Sequence, residues 1–143
     1  MAKFLRIASW NANDLAQHKD GIQLFLRQNK IDIPLTSETH FTTKSYFKIP
    51  YYMYCTNHPD CTAHEGTAVI VTQTIRHYEL SKYEENFLQT TSIRVINLPY
   101  VLTVTAMYSP PKYNLKRDHY EFFFSTLDPK FIEGGDYNSK HIV

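Results

Sequence analysis

This sequence carries almost no net charge of either sign. Its 143 residues sum to +1 at neutral pH. No global field therefore draws the chain to a polyanion or a membrane surface, and any such contact must be local. It has two cysteines, too few for a disulfide framework. It has no apolar run long enough to cross a bilayer. The start, Met1-Ala2-Lys3-Phe4-Leu5-Arg6, passes directly into strand-like alternation, without the apolar stretch of a signal peptide. An intracellular setting is expected. No repeat, low-complexity tract or linker breaks the chain. What remains is 43% hydrophobic and 20% charged, the balance of a globular domain rather than a disordered segment. The length allows one domain, spanning residues 1–143, with a real core.

Hydrophobic periodicity gives the order of elements. Phe4 to Asn11 reads as a buried strand. Asn13 and Asp14 are candidate caps for an amphipathic helix from Leu15 to about Asn29, with Leu15, Ile22, Phe25 and Leu26 on one face. Ile31 to Ser37 reads as the next strand, so the chain opens with β-α-β and a parallel pair. Pro34 counts against that strand because it removes a ladder donor. A tyrosine-rich segment from Tyr46 to Tyr54 is interrupted by Pro50. Strands follow at Thr67–Thr72, Gln89–Asn97 and Tyr100–Tyr108, the last two joined by a turn at Leu98-Pro99. A second, aromatic-rich helix spans Lys116 to about Leu127, and the last strand is Phe131 to Gly134. The pattern predicts an α/β sandwich, two sheets face to face with helices outside.

Polar residues gather where the strands end. Trp10-Asn11-Ala12-Asn13 closes the first strand and Ser37-Glu38-Thr39-His40 the second. Tyr108-Ser109-Pro110 closes a later one, and Asp136-Tyr137-Asn138 follows the pair Gly134-Gly135 at the last. Each alone reads as a cap or solvated turn. Together, at the ends of neighbouring strands, they describe one cleft of the kind that binds ligands in open α/β sheets. A carboxylate and an amide after a strand can hold a metal, activate a water and bind a phosphate. A second array, Cys55, His58, Cys61 and His64, has two residues between each member. Zinc sites usually pair two close ligands and leave a longer gap. The preferred reading is a polar loop with two unrelated thiols.

The motifs Ile7-Ala8-Ser9-Trp10-Asn11-Ala12-Asn13, Ser37-Glu38-Thr39-His40-Phe41, Gly66-Thr67-Ala68-Val69-Ile70-Val71, Tyr108-Ser109-Pro110 and Gly134-Gly135-Asp136-Tyr137-Asn138-Ser139-Lys140-His141 occur in that order. The set resembles the endonuclease/exonuclease/phosphatase superfamily, nearest in wording to the apurinic-type endonuclease domain of jockey-like non-LTR retrotransposons. The resemblance implies a DNase I-like α/β sandwich of two packed mixed sheets flanked by helices. It implies a metal-dependent endonuclease that nicks target DNA for reverse transcription, with Mg²⁺ or Mn²⁺ as cofactor. DNA is the partner so implied, in the nucleus, with a reverse transcriptase in the same polyprotein; neither a membrane nor an obligate oligomer is implied.

The resemblance also assigns roles. Glu38 is the metal-binding glutamate. Asn11 contacts the phosphate or the metal shell. Asp136 orients or deprotonates the attacking water. Asn138 hydrogen-bonds the phosphate in its transition state. Tyr108 is a neutral donor near the scissile phosphate. Asn13 acts behind these residues or on a phosphate. His40 and His141 are expected at the surface.

The family's Ser-Asp-His motif does not occur in this sequence. The expectation is a C-terminally shortened domain, weakly active or inactive alone, with an open sheet edge at the Phe131 strand. The alternative is a catalytically dead remnant that at most binds nucleic acid. A phosphoinositide, sphingomyelin or RNA-tail substrate is disfavoured by the wording around Glu38 and Asp136. Lys112, Lys116 and Arg117 could meet a DNA backbone or simply be a solvated helix start. The tyrosines from Tyr51 to Tyr54 could stack on bases, but are expected to pack in a half-buried strand.

Overall fold

The computed structural model describes residues 4–42, 44–57 and 65–138. In chain order the elements are β1 Ile7–Asn11, α1 Lys19–Asn29, β2 Ile33–Ser37, β3 Tyr52–Asn57, β4 Thr67–Thr72, β5 His77–Glu79, β6 Glu84–Glu85, β7 Leu88–Val95, β8 Leu102–Tyr108, α2 Arg117–Ser125 and β9 Phe131–Asp136. Among the described residues they make two mixed sheets. One has the order β1-β2-β4-β3, the other β5-β7-β8-β9 with β6 also on β7.

Each sheet carries one parallel pair joined by a helix. β1 and β2 run parallel, from Ile7 opposite Ile33 to Asn11 opposite Ser37. β8 and β9 run parallel, from Thr103 opposite Phe131 to Tyr108 opposite Asp136. The opening β-α-β is therefore as expected. The β2–β4 register begins at Leu35 opposite Val69, one residue past Pro34, where a ladder donor is missing.

Strand alternation sorts the side chains into layers. Ile33, Leu35, Val69 and Val71 of the first sheet face Ile93, Val95, Leu102, Val104 and Ala106 of the second. On the outer face of the first sheet, Ala68 and Ile70 pack with Ile22 and Leu26 of α1 and with Leu15, Phe41, Phe47 and Ile49. On the outer face of the second, Leu88 and Met107 pack under Phe123 of α2. The result is a helix–sheet–sheet–helix sandwich, with the apolar area that drives it in the middle layer.

Several boundaries differ from the sequence reading, each for a local reason. β1 begins at Ile7, and Phe4 is exposed. α1 begins at Lys19, not Leu15: the left-handed Asn13 and Asp14 (φ 39° and 80°) lead into turns over residues 15–18, with the Leu15 N–H spent on the Thr39 carbonyl (3.1 Å) and the Lys19 N–H on the Ala16 carbonyl (3.4 Å). Asp14 Oδ1 accepts from the Gln17 N–H within that turn (3.3 Å), and His18 takes the cap position. Leu15 is still fully buried, but ahead of the helix. β9 continues through both glycines to Asp136, two residues beyond the expected end. β5 and β6 lie along β7 and are too short to show alternation in the sequence. The tyrosine segment divides: the Tyr52 hydroxyl donates to the Ile31 carbonyl (2.7 Å) and Tyr54 packs on Phe47, while Tyr46 and Tyr51 are exposed. Among the described residues β9 is an edge strand of its sheet.

Candidate active site

The two glycines of β9 position the site. A Cβ on Gly134 would lie 2.9 Å from Ser9 Cβ and Oγ and 3.2 Å from Leu35 Cδ1, so β9 crosses close over β1 and β2 of the other sheet. A Cβ on Gly135 would lie 1.7 Å from the Met107 carbonyl oxygen, leaving no room for any side chain there. This close approach carries Asp136, the next residue, to the end of β1.

There the predicted residues meet. The Asn11 side-chain amide donates to Asp136 Oδ2 (3.1 Å), and the Asn138 backbone N–H donates to Asp136 Oδ1 (2.9 Å). The Asn138 side-chain amide donates to the Ser109 carbonyl (2.7 Å), while the Ser109 N–H donates to the Asp136 carbonyl (2.9 Å). Asn11 is itself held, because its Oδ1 accepts from the Asn13 N–H (3.1 Å). Four residues separated by up to 127 positions in the chain form one network around a single carboxylate; with both carboxylate oxygens engaged, its direction is fixed.

Tyr108 lies opposite Asp136 in the β8–β9 register and is buried. Burial pushes its phenol up to about 12, with the charges of Glu38, Glu65 and Asp136 adding to the effect in that order and a hydrogen bond to Asn138 opposing it. Tyr108 is consequently a neutral donor at any ordinary pH.

Glu38 leaves β2 with a left-handed backbone (φ 52°) in a loop pinned on both sides. Its carbonyl accepts from the Asp14 N–H (3.0 Å) and the Thr39 carbonyl accepts from the Leu15 N–H (3.1 Å). On the other side the Thr39 N–H donates to the Gly66 carbonyl (3.4 Å) and the His40 N–H to the Glu65 carbonyl (2.9 Å). Of the seven non-glycine residues with positive φ among the described residues, five are here: Asn13, Asp14, Glu38, His40 and Asn138. Such backbone costs free energy and persists only where its surroundings over-determine it, which is why it gathers at functional sites.

Glu38 is half-buried, and neither ion pair among the described residues involves it or Asp136. The hydroxyls of its neighbours Ser37 and Thr39 are buried without a partner. No group of three His, Cys, Asp or Glu side chains among the described residues is close enough to cage an ion. Glu38, in no ion pair among the described residues and close to neutral amides and a phenol, fits a hard cation that keeps much of its water and takes substrate oxygens as further ligands.

Glu65 and Gln89 belong to this site and were not singled out in the sequence. Glu65 lies in the loop before β4 and Gln89 in a strand already rich in Thr and Ser, so neither stood out locally. His40 has its N–H used and its backbone strained, whereas His141 lies outside the described residues. Of the even Cys/His array, only Cys55 is described. It sits in β3, packs against the inter-sheet core, and burial pushes its thiol up to about 11. His58, Cys61 and His64 lie outside the described residues.

The arrangement can be set beside known proteins. The endonuclease domain of TRAS1, a telomere-specific non-LTR retrotransposon, superposes with a TM-score of 0.71 over 95% of this chain and 61% of its own, at 15% identity. The chain has the DNase I-like fold of the endonuclease/exonuclease/phosphatase superfamily. In sequence, that fold is here 35% identical over 138 residues, 96% of the chain, to the RNA-directed DNA polymerase from mobile element jockey of Drosophila melanogaster. The probable RNA-directed DNA polymerase from transposon BS of the same organism is 28% identical over 140 residues. The chain spans about 15% of the length of these curated relatives. No family model matches it. Within the endonuclease/exonuclease/phosphatase fold, the network at Asp136 occupies the ends of β1, β8 and β9, with Glu38 following β2; these are the strand ends that the sequence singled out.

Proposed function

We propose that this chain is part of a divalent-metal-dependent DNA endonuclease domain that hydrolyses a phosphodiester bond. In this reading it nicks target DNA in the nucleus for target-primed reverse transcription, within a longer polypeptide carrying a reverse transcriptase. The observation that supports it most is the convergence of Asn11, Tyr108, Asn138 and Asp136 on one strand-end network, near Glu38, whose carboxylate forms no ion pair among the described residues. The similarity to jockey and TRAS1 proteins supports the choice of DNA over other phosphodiesters.

Each side chain has a task that its geometry allows. Glu38 would hold Mg²⁺ or Mn²⁺, which when bound supplies charge neutralisation at the phosphate. Asp136, its direction fixed by Asn11 and Asn138, orients the attacking water and accepts its proton. The side-chain amides of Asn11 and Asn138 and the phenol of Tyr108 offer neutral donors to phosphate oxygens as negative charge develops. Asn13 stands behind Asn11 through its N–H.

The test is nicking of supercoiled plasmid with Mg²⁺, using Glu38→Ala and Asp136→Ala as controls. No Ser-Asp-His occurs in the sequence. Weak nicking is expected from these 143 residues alone and strong nicking from the natural polypeptide that contains them, abolished by either substitution. Strong nicking that survives Asp136→Ala defeats the assignment. Plasmid retardation without nicking, in chain and polypeptide alike, supports the alternative of a remnant that only binds nucleic acid.

A further inference from the structure

Gln89 has no part in the chemistry above, yet it touches the supports of two residues that do. We propose that Gln89 is a positioning residue that fixes the loop carrying Glu38 and thereby sets the cation affinity of the site. The inference rests on the metal role of Glu38 in the proposed function.

Gln89 stands at the start of β7 on the inward face, only 5% exposed. A buried primary amide must satisfy its donors and acceptor locally. The Gln89 Oε1 accepts from the Gly66 N–H (3.1 Å), and its Nε2 donates to the Glu65 carboxylate. These bonds hold residues 65 and 66 as a short rail. The carbonyls of that rail receive the N–H groups of Thr39 (3.4 Å) and His40 (2.9 Å), which immediately follow Glu38. Glu38 and His40 are both left-handed (φ 52° and 57°), so this loop would relax if the rail were free.

On its other side, Gln89 lies directly opposite Tyr108 in the β7–β8 register. One side chain thus connects the strand of the phenol donor to the loop of the cation ligand. An apolar residue of the same length would fill the space but leave the Gly66 N–H and the Glu65 carboxylate unheld. Partners one step removed from a metal ligand typically govern affinity by about 10- to 100-fold.

The test uses the 143-residue chain and the variants Gln89→Met, Glu65→Ala, Glu65→Gln and Glu38→Gln. Mn²⁺ binding is followed by electron paramagnetic resonance, hydrogen exchange of the Thr39 and His40 amides by NMR, and folding by thermal melting. Gln89→Met is expected to speed exchange of both amides and weaken Mn²⁺ binding about 10-fold or more. Glu65→Ala opens the same rail from its half-exposed side and serves if Gln89→Met does not fold. Glu65→Gln keeps an acceptor for the Gln89 amide and is expected to restore slow exchange. A folded Gln89→Met protein with unchanged exchange and unchanged Mn²⁺ affinity overturns the proposal. Mn²⁺ binding that is absent, or indifferent to Glu38→Gln, overturns the metal role of Glu38 and the affinity half with it. The exchange data then decide the loop half separately.

Discussion

Tyr108 shows how burial selects a chemical role. An exposed phenol can serve as donor or, above pH 10, as phenolate. In this site burial and the carboxylates of Glu38, Glu65 and Asp136 push ionisation up to about 12, so only the neutral form is available. Tyr108→Phe removes the hydroxyl and keeps the buried ring at the end of β8. We expect about a 100-fold loss of nicking rate in the active polypeptide, the order found when one preorganised donor is lost. The pH–rate profile below pH 9 should keep its shape; a lost basic limb would mean that Tyr108 acts as an acid or base. Tyr108 and Asp136 were legible in the sequence because a strand-end motif announces a polar residue where packing does not need one. Glu65 and Gln89 were not, because their importance lies in which backbone groups they hold across the sheet, and no local pattern encodes that.

At the scale of elements, β9 carries most of the explanation. The sequence reading ended the last strand at Gly134, with Gly135 just beyond it. The structure places both inside the strand, where their missing side chains let β9 pass over Ser9 and alongside Met107. Strand periodicity cannot show this, since close approach between sheets is a long-range property. Gly134→Ala should destabilise the chain by about 1–3 kcal/mol through overpacking against Ser9 and Leu35, and lengthen the Asn11–Asp136 bond. Because the closest atoms are the Ser9 side chain, Ser9→Gly should recover part of the loss in the double variant, measured by urea unfolding. Gly135→Ala meets backbone at Met107 and should have no such rescue. Additive losses for Ser9→Gly and Gly134→Ala would refute the contact. α1 illustrates the same competition. Helical spacing extended it back to Leu15, but the site loop claims Asn13 and Asp14, and the helix starts four residues late.

For the whole molecule, the two-sheet sandwich was legible because the apolar pattern of β4, β7 and β8 admits two buried faces. The strand order β1-β2-β4-β3 was not, since it depends on β4 inserting between β2 and β3, with Leu35 opposite the distant Val69. At the second sheet, two carboxylates pull the pH dependence of stability in opposite directions. Asp128 accepts from Thr103 Oγ1 and pairs with Arg94 (2.8 Å), and these bonds hold its carboxyl below the usual range. Its contribution is present above the ordinary aspartate pKa and lost as pH falls through the lowered one. Glu133 on β9 has one buried oxygen without a partner, and burial raises its pKa. Its contribution is complete below the ordinary glutamate pKa and lost as pH rises through the raised one, so at pH 7 burial of this carboxyl opposes folding. Glu133→Gln should therefore raise the melting temperature at pH 7 and leave it nearly unchanged at pH 4. Asp128→Asn should lower it at pH 7 and flatten the acid limb. Equal shifts at both pH values for either variant would mean that packing, not ionisation, is what the substitution changed.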